Sequence, residues 1–242
     1  SPATLLKYST DASLFFIKPA LVVFPKNVED IKKLVSFVSQ EKKKERDVSL
    51  TARSAGTDMS GGPLSESIIV AFGKYFNHTP SVNGVIATTE PGVFYRDFET
   101  ETLKHNLIFP SYPASKGICA MGGILNNNSG GEKSLQYGKT EKYIKRARVV
   151  LSDGKTYEFK KLNEQELKKK LDQDDFEGEI YKNIYKLITD NFDEIMSAKP
   201  DVSKNSAGYS LWNVDYKKTF DFTQLLVGAQ GTLGLFLEGR SE

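Results

Sequence analysis

The chain has 242 residues, 39% hydrophobic and 26% charged, and its 33 basic and 31 acidic side chains leave a net charge of +2. That balance belongs to a globular protein with a sizeable core and excludes the disordered class. It offers no concentrated basic face for nucleic acid, and no apolar run approaches membrane-spanning length, so neither a nucleic-acid partner nor a transmembrane segment is expected. No charged-then-apolar signal segment opens the chain. Cys119 is the only cysteine, which rules out an intramolecular disulfide and a cysteine-based zinc site and suits a reducing cytosol.

In chain order, Ala20-Leu-Val-Val-Phe24 reads as a short buried strand closed by Pro25. Asn27 then caps a helix with Glu29 and Asp30 in its first turn and Ile31, Leu34, Val35 and Val38 on one face. A strand over Val48 to Ala52 completes a strand-helix-strand unit, most simply right-handed and parallel. A third strand is predicted at Ser67 to Phe72. From about residue 79 the pattern turns antiparallel, with hairpin signals at Asn83-Gly84 and at Asp153-Gly154 between Ala147–Leu151 and Lys155–Phe159. Ile180, Ile184, Leu187 and Ile188 predict a helix over about 180–192. The expected class is α+β: a small parallel β/α subdomain, 1–78, and a larger antiparallel one with helices, 79–242.

Four glycine-rich segments carry the chemistry: Arg53-Ser-Ala-Gly-Thr-Asp-Met-Ser-Gly-Gly62, Pro91-Gly-Val93, Met121-Gly-Gly-Ile-Leu-Asn-Asn-Asn-Ser-Gly-Gly131 and Gly228-Ala-Gln-Gly-Thr-Leu-Gly234. Small residues let a backbone approach a ligand, and successive N–H groups in a tight turn form an anion-binding concavity that suits a pyrophosphate. Thr57 and Ser60 add hydroxyl donors and Arg53 a charge. Gly56 and Gly123 read as positions where a side chain would intrude on ligand space. No G-x-G-x-x-G occurs, and Gly138-Lys-Thr140 fails as a Walker A loop because Lys133 stands where its first glycine belongs.

These segments, in this order, resemble the FAD-linked oxidases and dehydrogenases of the vanillyl-alcohol oxidase type, with their PCMH-type FAD-binding domain. Tyr8-Ser-Thr-Asp-Ala-Ser13, Pro19–Pro25 with Val28-Glu-Asp-Ile31, and Tyr137-Gly138 extend the likeness over nearly the whole chain. The closest branch is that of glycolate oxidase and D-lactate dehydrogenase, which act on 2-hydroxy acids. The resemblance implies a PCMH-type fold of two subdomains and dissociable FAD. It implies cofactor contacts from Arg53, Ser54, Ala55, Gly56, Thr57, Asp58, Ser60, Gly61 and Gly62 at the pyrophosphate, and from Pro91 and Gly92. Around the flavin it implies Pro113, Ala114, Ser115, Met121, Gly122, Gly123, Asn127, Ser129, Gly130, Tyr137 and Gly138, then Gly231 and Leu233 in the closing motif. Ser54 and Ala55 stand where the family often has glycines.

The family's catalytic and metal-binding groups belong to a second domain beyond the closing motif. Only His78 and His105 are present here, without metal-ligand spacing, so the catalytic residues are unknown and no metal site is expected. Cys119 reads as a small buried side chain beside the flavin loop. Tyr209 and Trp212, in Lys204–Trp212, resemble a family segment near the flavin and serve equally well as core. The tail Gly239–Glu242 does not continue the strand pattern of Leu235-Phe-Leu237. A fragment of a longer oxidoreductase is therefore expected, inactive by itself, with a C-terminal substrate domain and a small hydroxy acid as its partners. A reductase resembling the UDP-N-acetylmuramate enzymes, or a non-catalytic flavin carrier, would present similar loops. Peripheral attachment of the longer protein to a membrane stays open.

Overall fold

The computed structural model describes residues 1–202, 205–214 and 219–242. In chain order the elements are α1 (Pro2–Lys7), β1 (Leu21–Val23), α2 (Val28–Lys42), β2 (Leu50–Arg53), β3 (Ile68–Ala71), β4 (Ser81–Asn83), β5 (Ile86–Thr89) and α3 (Tyr95–Leu103). After these come α4 (Met121–Asn126), α5 (Ser134–Tyr137), β6 (Ile144–Val150), β7 (Thr156–Asn163), α6 (Glu164–Leu171), α7 (Phe176–Asp190), α8 (Phe192–Ser197), β8 (Thr219–Asp221), α9 (Thr223–Leu226) and β9 (Leu235–Ser241).

Helix α2 starts where the cap predicts: the Asp30 N–H donates to Asn27 Oδ1 at 3.0 Å, and Ile31, Val35 and Val38 are buried. It links β1 and β2, which are parallel but not neighbours, because β3 enters between them to give the order β1-β3-β2. The reason lies in the side chains. All four residues of β3 are buried, whereas β1 and β2 are partly exposed, and the most apolar strand takes the position covered on both sides.

The second sheet has the order β4-β5-β9-β6-β7-β8 and is antiparallel throughout. Both hairpins form at their Asn-Gly and Asp-Gly signals, joining β4 to β5 and β6 to β7. Helix α7 begins earlier than its apolar stripe predicts, at an Asp175 cap whose side chain accepts the Gly178 N–H at 2.8 Å. Its buried face centres on Tyr181 and Ile188, leaving Leu187 exposed.

The tail reading is overturned. Strand β9 runs on through Gly239 and Arg240 to Ser241, in the middle of the sheet between β5 and β6. Its pattern hides because a Cβ at Gly239 would come within 2.9 Å of Leu125 Cδ1, so helix α4 packs on bare backbone there. Outward-facing Arg240 pairs with Glu238 at 3.0 Å.

One core fills the space between the large sheet and its helices around Phe159, which stacks on Phe222 at 4.5 Å between ring centroids. A second core joins the two sheets: Ile31 and Val35 of α2, Val70 of β3, Phe72 and Phe76 meet Val150, Leu235 and Leu237 of the large sheet. Replacing Gly239 by Val should force α4 off β9 and cost about 1–3 kcal/mol of stability. Urea unfolding followed by circular dichroism would show this as a lower midpoint at unchanged slope.

Candidate functional site

The loop that leaves β2 after Arg53 lies at the carboxyl end of the parallel strands, where open α/β sheets place their ligands. It forms one wall of a cleft of about 320 Å³. The opposite wall comes from Pro113, Ser115, Cys119 and Ala120 with Gly122, Gly123 and Ile124 of α4, and the end from Asn126, Asn127, Ser129, Gln230 and Gly231. Thus three of the four glycine-rich segments, remote in sequence, contribute lining residues to one hollow.

Its dominant electrostatic feature is backbone. The N–H groups of the six residues Ser54 to Met59 donate to no acceptor among the described residues, and Ser54 to Met59 all line the cleft. Consecutive free N–H dipoles in one loop make a concavity for an anion. The Gly123 N–H on the facing wall is likewise without an acceptor among the described residues.

The expected residues divide into three groups. Ser54, Ala55, Gly56, Thr57, Asp58, Gly62, Pro113, Ser115, Gly122, Gly123, Asn127, Ser129 and Gly231 line the cleft. Others stand behind its walls: Pro91 O accepts the Gly122 N–H at 2.9 Å, the Gly92 N–H reaches Phe76 O at 2.8 Å, Met121 is buried, and Gly130 lies under the Lys139 side chain. Gly61 sits against Phe15, Leu233 packs on the large core, and Ala114 is exposed. Tyr137 borders a separate hollow with Lys133 and Lys142, and Gly138 abuts the Lys142 side chain.

Two side chains expected as phosphate donors are engaged elsewhere. Arg53 is buried and turns toward the N-terminal segment, with Nη2 donating to Thr10 O at 2.7 Å and Nη1 to Tyr8 O at 3.3 Å. Its guanidinium also lies 5.0 Å from the Tyr8 ring centroid, and burial lowers its pKa. Ser60 donates its hydroxyl to the Asp58 carboxylate at 2.9 Å. Gly56 also changes meaning: a Cβ there would fall 2.5 Å from Arg53 Nη2, and its φ of +73° lies in the left-handed region, so its bareness serves the loop's seat on Arg53. At Gly123, by contrast, a Cβ would meet no atom within 4 Å and would stand in the cleft.

Sequence reasoning missed the lashing of the closing motif to the end of α4. Asn126 Oδ1 accepts the Gly231 N–H at 3.0 Å, Asn126 O accepts the Gln230 N–H at 2.9 Å, and Gln230 Nε2 donates to Asn127 Oδ1 at 3.0 Å. Asn126 and Gln230 were both inside glycine-rich segments, and their amides were the available signal. Met59, Pro63, Ala52 and Ile124 carry no such mark. Cys119 does line the cleft, and burial raises its thiol pKa, which keeps it protonated. Tyr209 bonds Thr232 Oγ1 at 2.6 Å, and neither Tyr209 nor half-buried Trp212 lines the cleft. Lys204, the start of that segment, lies outside the described residues. His78 pairs with Glu90 on the surface at 2.9 Å, and His105 is exposed.

A family model described as an FAD binding domain matches residues 19–160. The chain belongs to this FAD-binding family. D-2-hydroxyglutarate dehydrogenase of Escherichia coli K12 is 29% identical to it over 99% of this chain and 24% of its own length. Glycolate oxidase subunit GlcD of Bacillus subtilis 168 is 27% identical over 98% of the chain and 40% of its own length. Among solved structures, an alkyldihydroxyacetonephosphate synthase superposes on the whole chain with a TM-score of 0.63 at 18% identity, covering 37% of that protein. The chain therefore spans between a quarter and two fifths of these relatives, and the two-sheet architecture is the PCMH-type FAD-binding fold. Among the described residues no helix is long and apolar enough to cross a membrane.

Replacing Arg53 by Met should cost about 2 kcal/mol, because it strips the Tyr8 and Thr10 carbonyls of a charged donor. Denaturant unfolding of the FAD-free protein would read the loss, and limited proteolysis would show faster cleavage within residues 8–18.

Proposed function

We propose that this chain holds FAD for an oxidoreductase that oxidises a small 2-hydroxy acid such as D-lactate, glycolate or D-2-hydroxyglutarate. The observation that carries the cofactor site is the run of free N–H groups along the cleft wall. They suit a pyrophosphate, which brings acceptors but no donors. The substrate class rests on the two named relatives, both of which carry the name of a 2-hydroxy acid.

In this reading Ser54 to Asp58 take the pyrophosphate through their backbone, with the Thr57 hydroxyl beside them. Pro113, Ser115, Gly122, Gly123, Asn127, Ser129 and Gly231 enclose the rest of the cofactor. Pro91, Gly92, Met121 and Gly130 hold those walls from behind. Bound FAD supplies a two-electron acceptor, while the chain supplies orientation and a partly closed, water-poor surface. No histidine lines the cleft, and in this reading the cofactor is held non-covalently. Residues 1–78 and 79–242 act as two subdomains of the binding unit. The substrate-contacting groups come from a further, C-terminal domain, and the chain by itself does not turn substrate over.

Gly123→Val should abolish flavin retention while the FAD-free protein folds as before, since the added side chain meets only ligand space. Flavin absorbance of the purified variant measures the first and circular dichroism the second. Loss of FAD should also remove the roughly 2.7 kcal/mol of stabilisation that a ligand at a hundredfold excess over its Kd gives the folded state. Wild-type protein that takes up no FAD would refute the cofactor site. Full-length protein whose flavin is bleached by none of these three acids would refute the substrate class.

A further inference from the structure

The cleft is proposed for a doubly charged pyrophosphate, yet among the described residues Asp58 is the sole carboxylate on its walls and no lysine or arginine lines it. By Coulomb's law alone, that carboxylate opposes the ligand. Its hydrogen bonds show another use. Asp58 Oδ2 accepts the Gly62 N–H at 2.6 Å and the Ser60 N–H at 3.2 Å, and the Ser60 hydroxyl donates to Oδ2 at 2.9 Å and to Oδ1 at 3.1 Å. All of these donors belong to the returning limb of the loop. The outgoing limb, Ser54 to Met59, keeps its N–H groups free of any acceptor among the described residues.

We infer that Asp58 is a positioning residue: it folds the returning limb onto itself so that the outgoing N–H groups converge on a diphosphate. This rests on the cofactor reading above. With no cation among the described wall residues, the loop offers the anion dipoles, whose attraction falls off more steeply with misalignment than that of a point charge. Loop geometry then outweighs the repulsion of one carboxylate already saturated by two N–H donors and a hydroxyl. The prediction runs against the Coulombic one in sign. Removing the carboxylate should weaken FAD binding, whereas simple charge repulsion makes removal strengthen it. Asn in this place keeps an oxygen for the Ser60 and Gly62 N–H groups and can donate to the Ser60 hydroxyl, so it should substitute for the carboxylate.

The test is titration of FAD-free protein with FAD, followed by quenching of flavin fluorescence, for wild type, Asp58→Ala and Asp58→Asn. Asp58→Ala should bind about tenfold more weakly, the loss expected from a broken charged hydrogen-bond cluster, with Asp58→Asn within about threefold of wild type. Thermal melting without FAD should be the same for all three. Equal or tighter binding by Asp58→Ala overturns the inference, as does an Asp58→Asn that is as weak as Asp58→Ala. Should Asp58→Ala fail to fold, Asp58→Asn decides: wild-type affinity supports positioning, and a tenfold loss refutes it. Wild-type protein that binds no FAD would instead defeat the cofactor reading itself, so the two failures are separable.

Discussion

The arrangement of the cleft depends on the apolar contact between the two sheets. Ile31, Val35, Val70, Phe72 and Phe76 on one side and Val150, Leu235 and Leu237 on the other form a single buried cluster. Burial of each such side chain is worth roughly 1.5–3 kcal/mol, so the cluster is far stronger than any polar contact at the cleft. The loop after β2 is anchored on the first side and α4 on the second. Their separation is thus set by close-packed apolar side chains, and the polar loops inherit that spacing.

Given that spacing, the cleft walls are built from backbone. Gly122 lets α4 approach closely, since a Cβ there would lie 2.5 Å from Ser54 Oγ and 2.6 Å from Pro91 Cβ. Arg53, at the start of the loop, is spent beneath it on the Tyr8 and Thr10 carbonyls. A guanidinium held there ties the N-terminal segment to the seat of the loop and contributes no donor to the cleft. The N–H groups of Ser54 to Met59 therefore face the cleft without an acceptor among the described residues, in directions the fold has already fixed.

Much of this was legible in the residues, for identifiable reasons. Helix α2 and both hairpins announce themselves because their signals are local: the Asn27 cap, the i, i+3, i+4 apolar face, and Asn-Gly and Asp-Gly turns. The glycine-rich segments were legible as one constellation, and three of the four do contribute lining residues to one cleft, although Met121–Asn126 is helical rather than a loop. What stayed hidden depends on partners distant in sequence. The destination of Arg53 is settled by Tyr8 and Thr10, the bareness of Gly239 by Leu125, and the central place of β3 by burial on both faces. The buried face of α7 shifted for the same reason, since Tyr181 packs on Phe159 and Phe220 while Leu187 stays exposed.

Strand β9 shows how far the binding unit extends along the chain. The family match covers residues 19–160, yet within that span β5 and β6 do not pair with each other, and each pairs with β9, residues Leu235–Ser241. Without β9 the large sheet would split into two pieces with exposed edges, which are sites for misassociation. The inter-sheet cluster would also lose Leu235 and Leu237, and residues 19–160 alone would lack the Gln230 and Gly231 contacts to Asn126 as well. The matched segment therefore supplies most of the cleft lining but cannot set its geometry. That geometry is a property of the chain from β1 through β9, because the last strand is the one that closes both the sheet and the core on which the first loop sits.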